Sequence, residues 1–206
     1  MKKLVIAPHV DDEVIACGGI LDADTFVYYV GINESKVAPD PEHRIPQDAR
    51  MAELIDCANF LGFQYEVNTA TMVNYFTVQE CIAGIEAVIN KVKPEQIFLP
   101  HPGYNQDHQT VFNAAQVALR PHDKNFFVKQ VLVYEAIHDT LWSYEKLNLN
   151  YFIPIDIERK LAAYRLQKTQ VRPRANTKPL FCPSDQIQTV PAQVPSPRLA
   201  SRLRRL

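Results

Sequence analysis

The chain has 206 residues, 47% of them hydrophobic and 22% charged, with a formal net charge of −1 at pH 7 and a pI near 6.6. That length supports one full hydrophobic core but not two comfortable domains, and the balanced charge excludes an electrostatic basis for binding nucleic acid or an anionic membrane. Met1-Lys2-Lys3 leads into a short apolar run that stops at Pro8, too short for a signal peptide or a spanning helix, so a cytoplasmic protein is expected.

In chain order, the apolar run Lys3-Leu4-Val5-Ile6-Ala7 predicts a buried parallel strand over 3–8, and the pattern from Val14 to Leu21 predicts a helix over 13–23. A strand over 25–31 precedes a proline-containing polar loop, 32–46, of the kind that either contacts substrate or is simply mobile. A helix over 47–61 carries its apolar stripe on Leu54, Ala58 and Leu61. Then come a strand over 63–68, a helix over 77–92, a strand over 95–100, a helix over 107–119, a strand over 129–135 and a helix over 156–170. Strands alternating with helices define an α/β, Rossmann-like domain with a mostly parallel sheet and helices on both faces. Cys17, Cys57, Cys81 and Cys182 form no Cys-x-x-Cys pair, and the first three lie in helical apolar patterns, so reduced, buried thiols are expected.

Two strand ends carry the chemistry. Pro8-His9-Val10-Asp11-Asp12-Glu13 follows the first strand, and His101-Pro102-Gly103-Tyr104-Asn105-Gln106-Asp107-His108 follows the strand ending at Pro100. The loops at the carboxyl ends of parallel strands are where open α/β sheets bind ligands. His9 and Asp12, three apart across a tight turn, can converge on one ion. His108 supplies a third ligand and leaves coordination positions open, as a catalytic site requires. The competing reading of Asp11, Asp12 and Glu13 is a helix cap with first-turn acids matched to the helix dipole.

These segments resemble the LmbE/PIG-L family of metal-dependent N-acetylglucosaminyl deacetylases, whose first motif reads Pro-His-Pro-Asp-Asp-Glu and whose second ends in Asp-His. Gly18-Gly19, Arg50 to Glu53, Leu61-Gly62, Tyr134-Glu135, Lys160 to Tyr164 and Gln167 extend the resemblance over about residues 3–171. It implies a hydrolase that removes the acetyl group from an N-acetylglucosamine-type amide, with water as nucleophile and acetate as product. The expected cofactor is one divalent metal ion on His9, Asp12 and His108, with zinc favoured and ferrous iron also suited to the donor set. The expected partner is a small acetylated amino-sugar conjugate, with homo-oligomerisation left open.

Amide hydrolysis requires both a stronger nucleophile and a stronger electrophile than neutral solution offers, and a metal supplies both. Asp11, beside the ligands, is the expected general base. Asp107 is expected to orient a neighbouring group by hydrogen bonding, and Tyr104 to donate to the developing oxyanion. Many family members carry histidine where this chain has Asn105, which donates a hydrogen bond but cannot deliver a proton. His101 is the first substitute for that acid and His138 the second. His43 and His122 are read as surface residues. Arg50 is read either as a substrate contact or as half of an i, i+3 surface pair with Glu53. The alternative function is a family member that has lost catalysis and binds a sugar or nucleotide conjugate without hydrolysis. A plain nucleotide-binding domain is disfavoured, because no glycine-rich phosphate loop follows any strand.

Residues 172–206 depart from this pattern. They hold six of the fifteen prolines and seven Lys/Arg against one acid, so the charge changes from −7 over 1–171 to +6 over the tail. An irregular, poorly packed tail is expected. It lacks the Arg-Gly and Ala-Glu segment with which family members usually finish, and reads as a replaced end or a shifted reading frame.

Overall fold

The structure is a computed structural model, and it describes residues 2–34, 45–122, 125–135 and 149–171. The expectations for His43, His138, Cys182 and the tail from Arg172 onward lie outside the described residues.

The elements are β1 (Lys3–Ala7), α1 (Asp12–Cys17), β2 (Thr25–Tyr29), α2 (Gln47–Leu61), β3 (Gln64–Val67), α3 (Val78–Val92), β4 (Gln96–Pro100), α4 (Gln106–Ala118), β5 (Gln130–Tyr134) and α5 (Ile157–Tyr164). The five strands pair in parallel in the order β3-β2-β1-β4-β5, with Val5 opposite Val27 on one side and Phe98 on the other. The β1 run is uniformly apolar because both faces of the sheet are covered. Successive side chains point to opposite faces. Val5, Ala7, Val27, Tyr29 and Phe98 therefore pack with Val14, Leu54, Cys57, Leu61 and Ala163, under α1, α2 and α5. Leu4, Ile6, Tyr28, Ile97 and Leu99 pack with Ile85, Val88, Ile89, Val111 and Ala115, under α3 and α4. Ile6 is fully buried, and truncating it to alanine would cost about 2–5 kcal/mol.

This core fixes the site. β1 lies between β2 and β4, and the chain leaves it toward β2 while β4 pairs on its other side, so a crevice opens beyond the carboxyl ends of β1 and β4. Tyr134, at the end of β5, donates its buried hydroxyl to the Ile6 carbonyl at 2.8 Å, and its own carbonyl accepts from His101 N at 2.8 Å. These bonds tie the loop after β4 to the strand that carries His9.

Two helices are shorter than their apolar patterns predict. α1 ends at Cys17 rather than near residue 23, because Gly18-Gly19 allows a close approach: a Cβ on Gly19 would meet Ile155 Cβ at 2.5 Å. α5 ends at Tyr164 rather than 170, because the residues that follow bond to other parts of the chain instead of continuing the helical ladder. Cys17, Cys57 and Cys81 are free and buried. Among the described residues, no helix is long and apolar enough to cross a membrane.

Candidate metal centre

His9 leaves β1 at a turn in which its backbone N–H donates to Asp12 Oδ2 at 3.0 Å, so the two residues are locked together before any ligand is considered. His9 Nδ1 lies 3.3 Å from Asp12 Oδ2, and His108 Nε2 lies 3.3 Å from the same oxygen. One ligand atom from each of His9, Asp12 and His108 falls within 4.8 Å of the others. With metal–ligand bonds of roughly 2.0–2.1 Å, neighbouring ligands of a tetrahedral ion stand about 3.4 Å apart, so the two close separations suit such an ion. Two imidazoles and a carboxylate are a donor set for zinc or ferrous iron.

The groups around this triad fix its geometry. Asp107 stands in the first turn of α4 with only 1% of its surface exposed. Its Oδ2 lies 2.9 Å from His9 Nε2 and accepts from the backbone N–H of Asn74 at 2.7 Å. A ligand histidine held by a carboxylate through its far nitrogen has its ring orientation and tautomer set. Asn74 has a positive φ of 69°, which asparagine tolerates better than most residues. Its loop is further held by Gln106 Nε2, which donates to Asn74 O at 3.2 Å. Phe76, on the same loop, tilts against the His9 ring at 5.9 Å between centroids. A Cβ on Gly31 would meet that phenyl ring at 2.6 Å, so glycine is required for Phe76 to sit there.

Electrostatics separate the three acids of the motif. Burial pushes the Asp12 carboxyl up, but His108 and His9 outweigh it and hold the group well below the usual carboxylate range. Asp11 is pushed up to about 6, by burial and by the charge of Asp12, with Arg50 and His9 pulling back. Glu13, wholly buried, is pushed up to about 8 by burial first and then by Asp11. Burial lowers His9, yet its bonds to Asp107 and Asp12 and the charges of Asp12 and Asp11 raise it to about 10.

The remaining residues singled out in the sequence have separate settings. Asn105 is the N-cap of α4, its Oδ1 accepting from Asp107 N at 2.8 Å and His108 N at 3.4 Å. That bond shapes the helix start presenting His108. His101 Nδ1 accepts from Gly103 N at 3.2 Å, within its own turn, and His101 is not among the converging ligand atoms. Tyr104 is 59% exposed on the same loop. His122 is exposed, as a surface residue was expected to be, and lies 3.0 Å from Asn125 Nδ2.

Arg50 is not paired with Glu53, and neither is a surface residue. The Arg50 guanidinium, nearly fully buried, donates to Glu34 Oε1 at 2.9 and 2.8 Å and to Val10 O at 3.1 Å, and comes within 4.0 Å of Asp11 Oδ2. Glu53 accepts from Thr169 N and Oγ1 at 2.6 and 2.7 Å. Asn74, Glu34, Phe76 and Thr169 escape sequence reasoning because each reaches the site from a distant segment with no local pattern. For Gln167, which bonds Glu13 at 3.1 Å, the only signal was the family resemblance.

Residues 4–119 match the PIG-L family, GlcNAc-PI de-N-acetylase, and the chain belongs to that family. The structure is similar to the zinc-inhibited form of teicoplanin deacetylase Orf2, at 16% identity over 83% of this chain and 85% of that one, with a TM-score of 0.64. It is also similar to N,N′-diacetylchitobiose deacetylase from Pyrococcus horikoshii, at 20% identity over 82% and 70% of the two chains (TM-score 0.56). A third similar structure is the 4-carboxy-2-hydroxymuconate hydratase GalB from Pseudomonas putida, at 21% identity over 82% of each chain (TM-score 0.62). At these identities the likeness establishes the shared fold, and a fold hosts more than one reaction. A comparison with curated proteins finds no match.

Proposed function

We propose that the protein is a metal-dependent hydrolase that removes the acetyl group from an N-acetylglucosamine-type amide. The convergence of His9, Asp12 and His108 beside an unligated Asp11, in a chain of the de-N-acetylase family, carries the reading. Two of the similar folds are described as deacetylases, of teicoplanin and of diacetylchitobiose, which supports an acetylated amino sugar as the substrate class.

His9, Asp12 and His108 would hold a divalent ion, zinc in the first instance, which when bound would supply Lewis acidity and lower the pKa of water. Asp11 accepts the proton of the attacking water. A carboxylate raised to about 6 is a better base than an ordinary aspartate and still ionised at neutral pH. Once protonated, the same carboxyl can pass the proton to the departing amine nitrogen, which bears on the acid missing at position 105. Asn105 caps α4 and cannot deliver a proton. Asp107 keeps His9 in register, and Arg50 holds Glu34 and the Val10 carbonyl beside the base. Tyr104 and His101, on the loop after β4, would serve the oxyanion or the leaving group, and Arg50 would serve substrate binding through the Glu34 pair it supports.

The test is release of acetate and of the matching primary amine from a panel of N-acetylglucosamine conjugates. Release from amino-sugar amides is expected. Binding of those conjugates without any release would instead establish the non-catalytic alternative.

A further inference from the structure

After α5 the chain runs as a short strap that meets α1, α2 and the metal loop in turn. Gln167 Nε2 donates to Glu13 Oε1 at 3.1 Å, and both residues are fully buried. Thr169 is clamped by Glu53 through its backbone N–H and its hydroxyl. Turn bonds from Gln170 N and Val171 N to Gln167 O, at 2.9 and 3.2 Å, then swing the Gln170 side chain inward.

The Gln170 amide lies between the Arg50 guanidinium and the Asp11 carboxylate. Only one orientation suits these neighbours, because a guanidinium offers donors alone and an ionised carboxylate acceptors alone. In that orientation the Gln170 oxygen accepts from both terminal nitrogens of Arg50, the Nη2 contact being 2.7 Å, and its NH2 donates to Asp11 Oδ2 at 3.1 Å. Arg50 itself stands 4.0 Å from that oxygen, so the amide makes the closer contact.

We infer that Gln170 is a positioning residue for Asp11: its amide, aligned by Arg50 and carried by the strap, commits Asp11 Oδ2 and fixes the rotation of the carboxylate, leaving Oδ1 for the proton. The inference rests on the reading of Asp11 as the proton acceptor. Thr169 and Gln167 set the height and direction of the strap that carries Gln170. A device of this kind changes turnover without changing the ligand triad, and a misplacement of about 1 Å at a reacting group costs roughly 10²-fold in rate.

Two variants of the full chain separate the roles. Gln170→Glu still accepts from Arg50 but loses the donor to Asp11, whereas Gln170→Met keeps the length and loses both bonds. Both should lower kcat on a hydrolysed N-acetylglucosamine conjugate by about 10–100-fold, with zinc content and KM within twofold of the parent. A second readout does not depend on activity: in the metal-free protein, the shifts in melting temperature from Gln170→Met and Asp11→Asn should be non-additive, as for residues in contact. Additive shifts would overturn the contact, and unchanged kcat in both Gln170 variants would overturn the positioning role. If the shifts couple but Asp11→Asn turns over like the parent, the base assignment fails, and the inference fails with it for that separate reason.

Discussion

Replacing Asp107 by alanine strikes the group on which the triad's geometry depends. Its carboxylate, 2% exposed, is engaged by His9 Nε2 at 2.9 Å and by the Asn74 amide at 2.7 Å. Removing it leaves a ligand imidazole without its orienting partner and the Asn74 N–H without its acceptor. Hydrogen bonds to a charged group contribute about 1.5–3 kcal/mol each, so losing two costs about 3–6 kcal/mol. In a protein of this size each kcal/mol moves the melting temperature by roughly 2–4 °C, which places the loss at about 6–24 °C. Loss of the partner of a ligand histidine lowers metal affinity by about 10–100-fold. Asp107→Asn should fall between the parent and the alanine variant, since its amide oxygen preserves one acceptor. Zinc affinity measured against a competing chelator, together with thermal unfolding of the metal-free protein, checks both numbers. Zinc affinity within twofold of the parent in Asp107→Ala would refute the argument that Asp107 orients His9.

His9→Ala, Asp12→Ala and His108→Ala should each abolish stoichiometric metal binding by elemental analysis, whereas His101→Ala should retain it, because its ring bonds within its own turn and stands apart from the triad. Asp11→Asn should bind metal normally and lose about 10²–10⁴-fold in turnover; unchanged turnover would remove Asp11 from the chemistry. With His9 raised to about 10, the metal-free site holds a proton that a metal must displace. Affinity should therefore fall as pH is lowered from 9 to 6, by up to about tenfold per unit, and calorimetry in buffers of different ionisation enthalpy should report about one proton released. The same shift stabilises the metal-free fold below the unfolded imidazole pKa of about 6.5 and loses that contribution as pH rises through the folded value. A melting temperature that does not fall on that side would count against a charged His9.

The alternating burial of both sheet faces left continuous apolar runs, so the strands and their parallel pairing were legible in the sequence. The spacing of His9 and Asp12 and the placing of His108 at another strand end were legible for a related reason, since each depends on a local strand-to-helix turn. What was not legible came from distant segments. Asp107 meets His9 across 98 positions and Gln167 meets Glu13 across 154, and no local pattern encodes either. Helix α5 stopped six residues early because Gln167, Thr169 and Gln170 found tertiary partners that a helical continuation would have forfeited. Arg50 and Glu53 have the spacing of a surface pair, yet burial sent each to a different partner. Asn105 carried a second signal that went unread: an asparagine before a helix is a preferred N-cap.

The central claim is that a metal ion held by His9, Asp12 and His108 makes this chain an amide hydrolase. Metal-free protein titrated with zinc, or with ferrous iron under anaerobic conditions, while acetate release from an N-acetylglucosamine conjugate is followed, measures it directly. Activity should rise in proportion to bound metal and level off at one ion per chain. Full-rate acetate release from the metal-free protein, or no release at any occupancy with either ion, would contradict it.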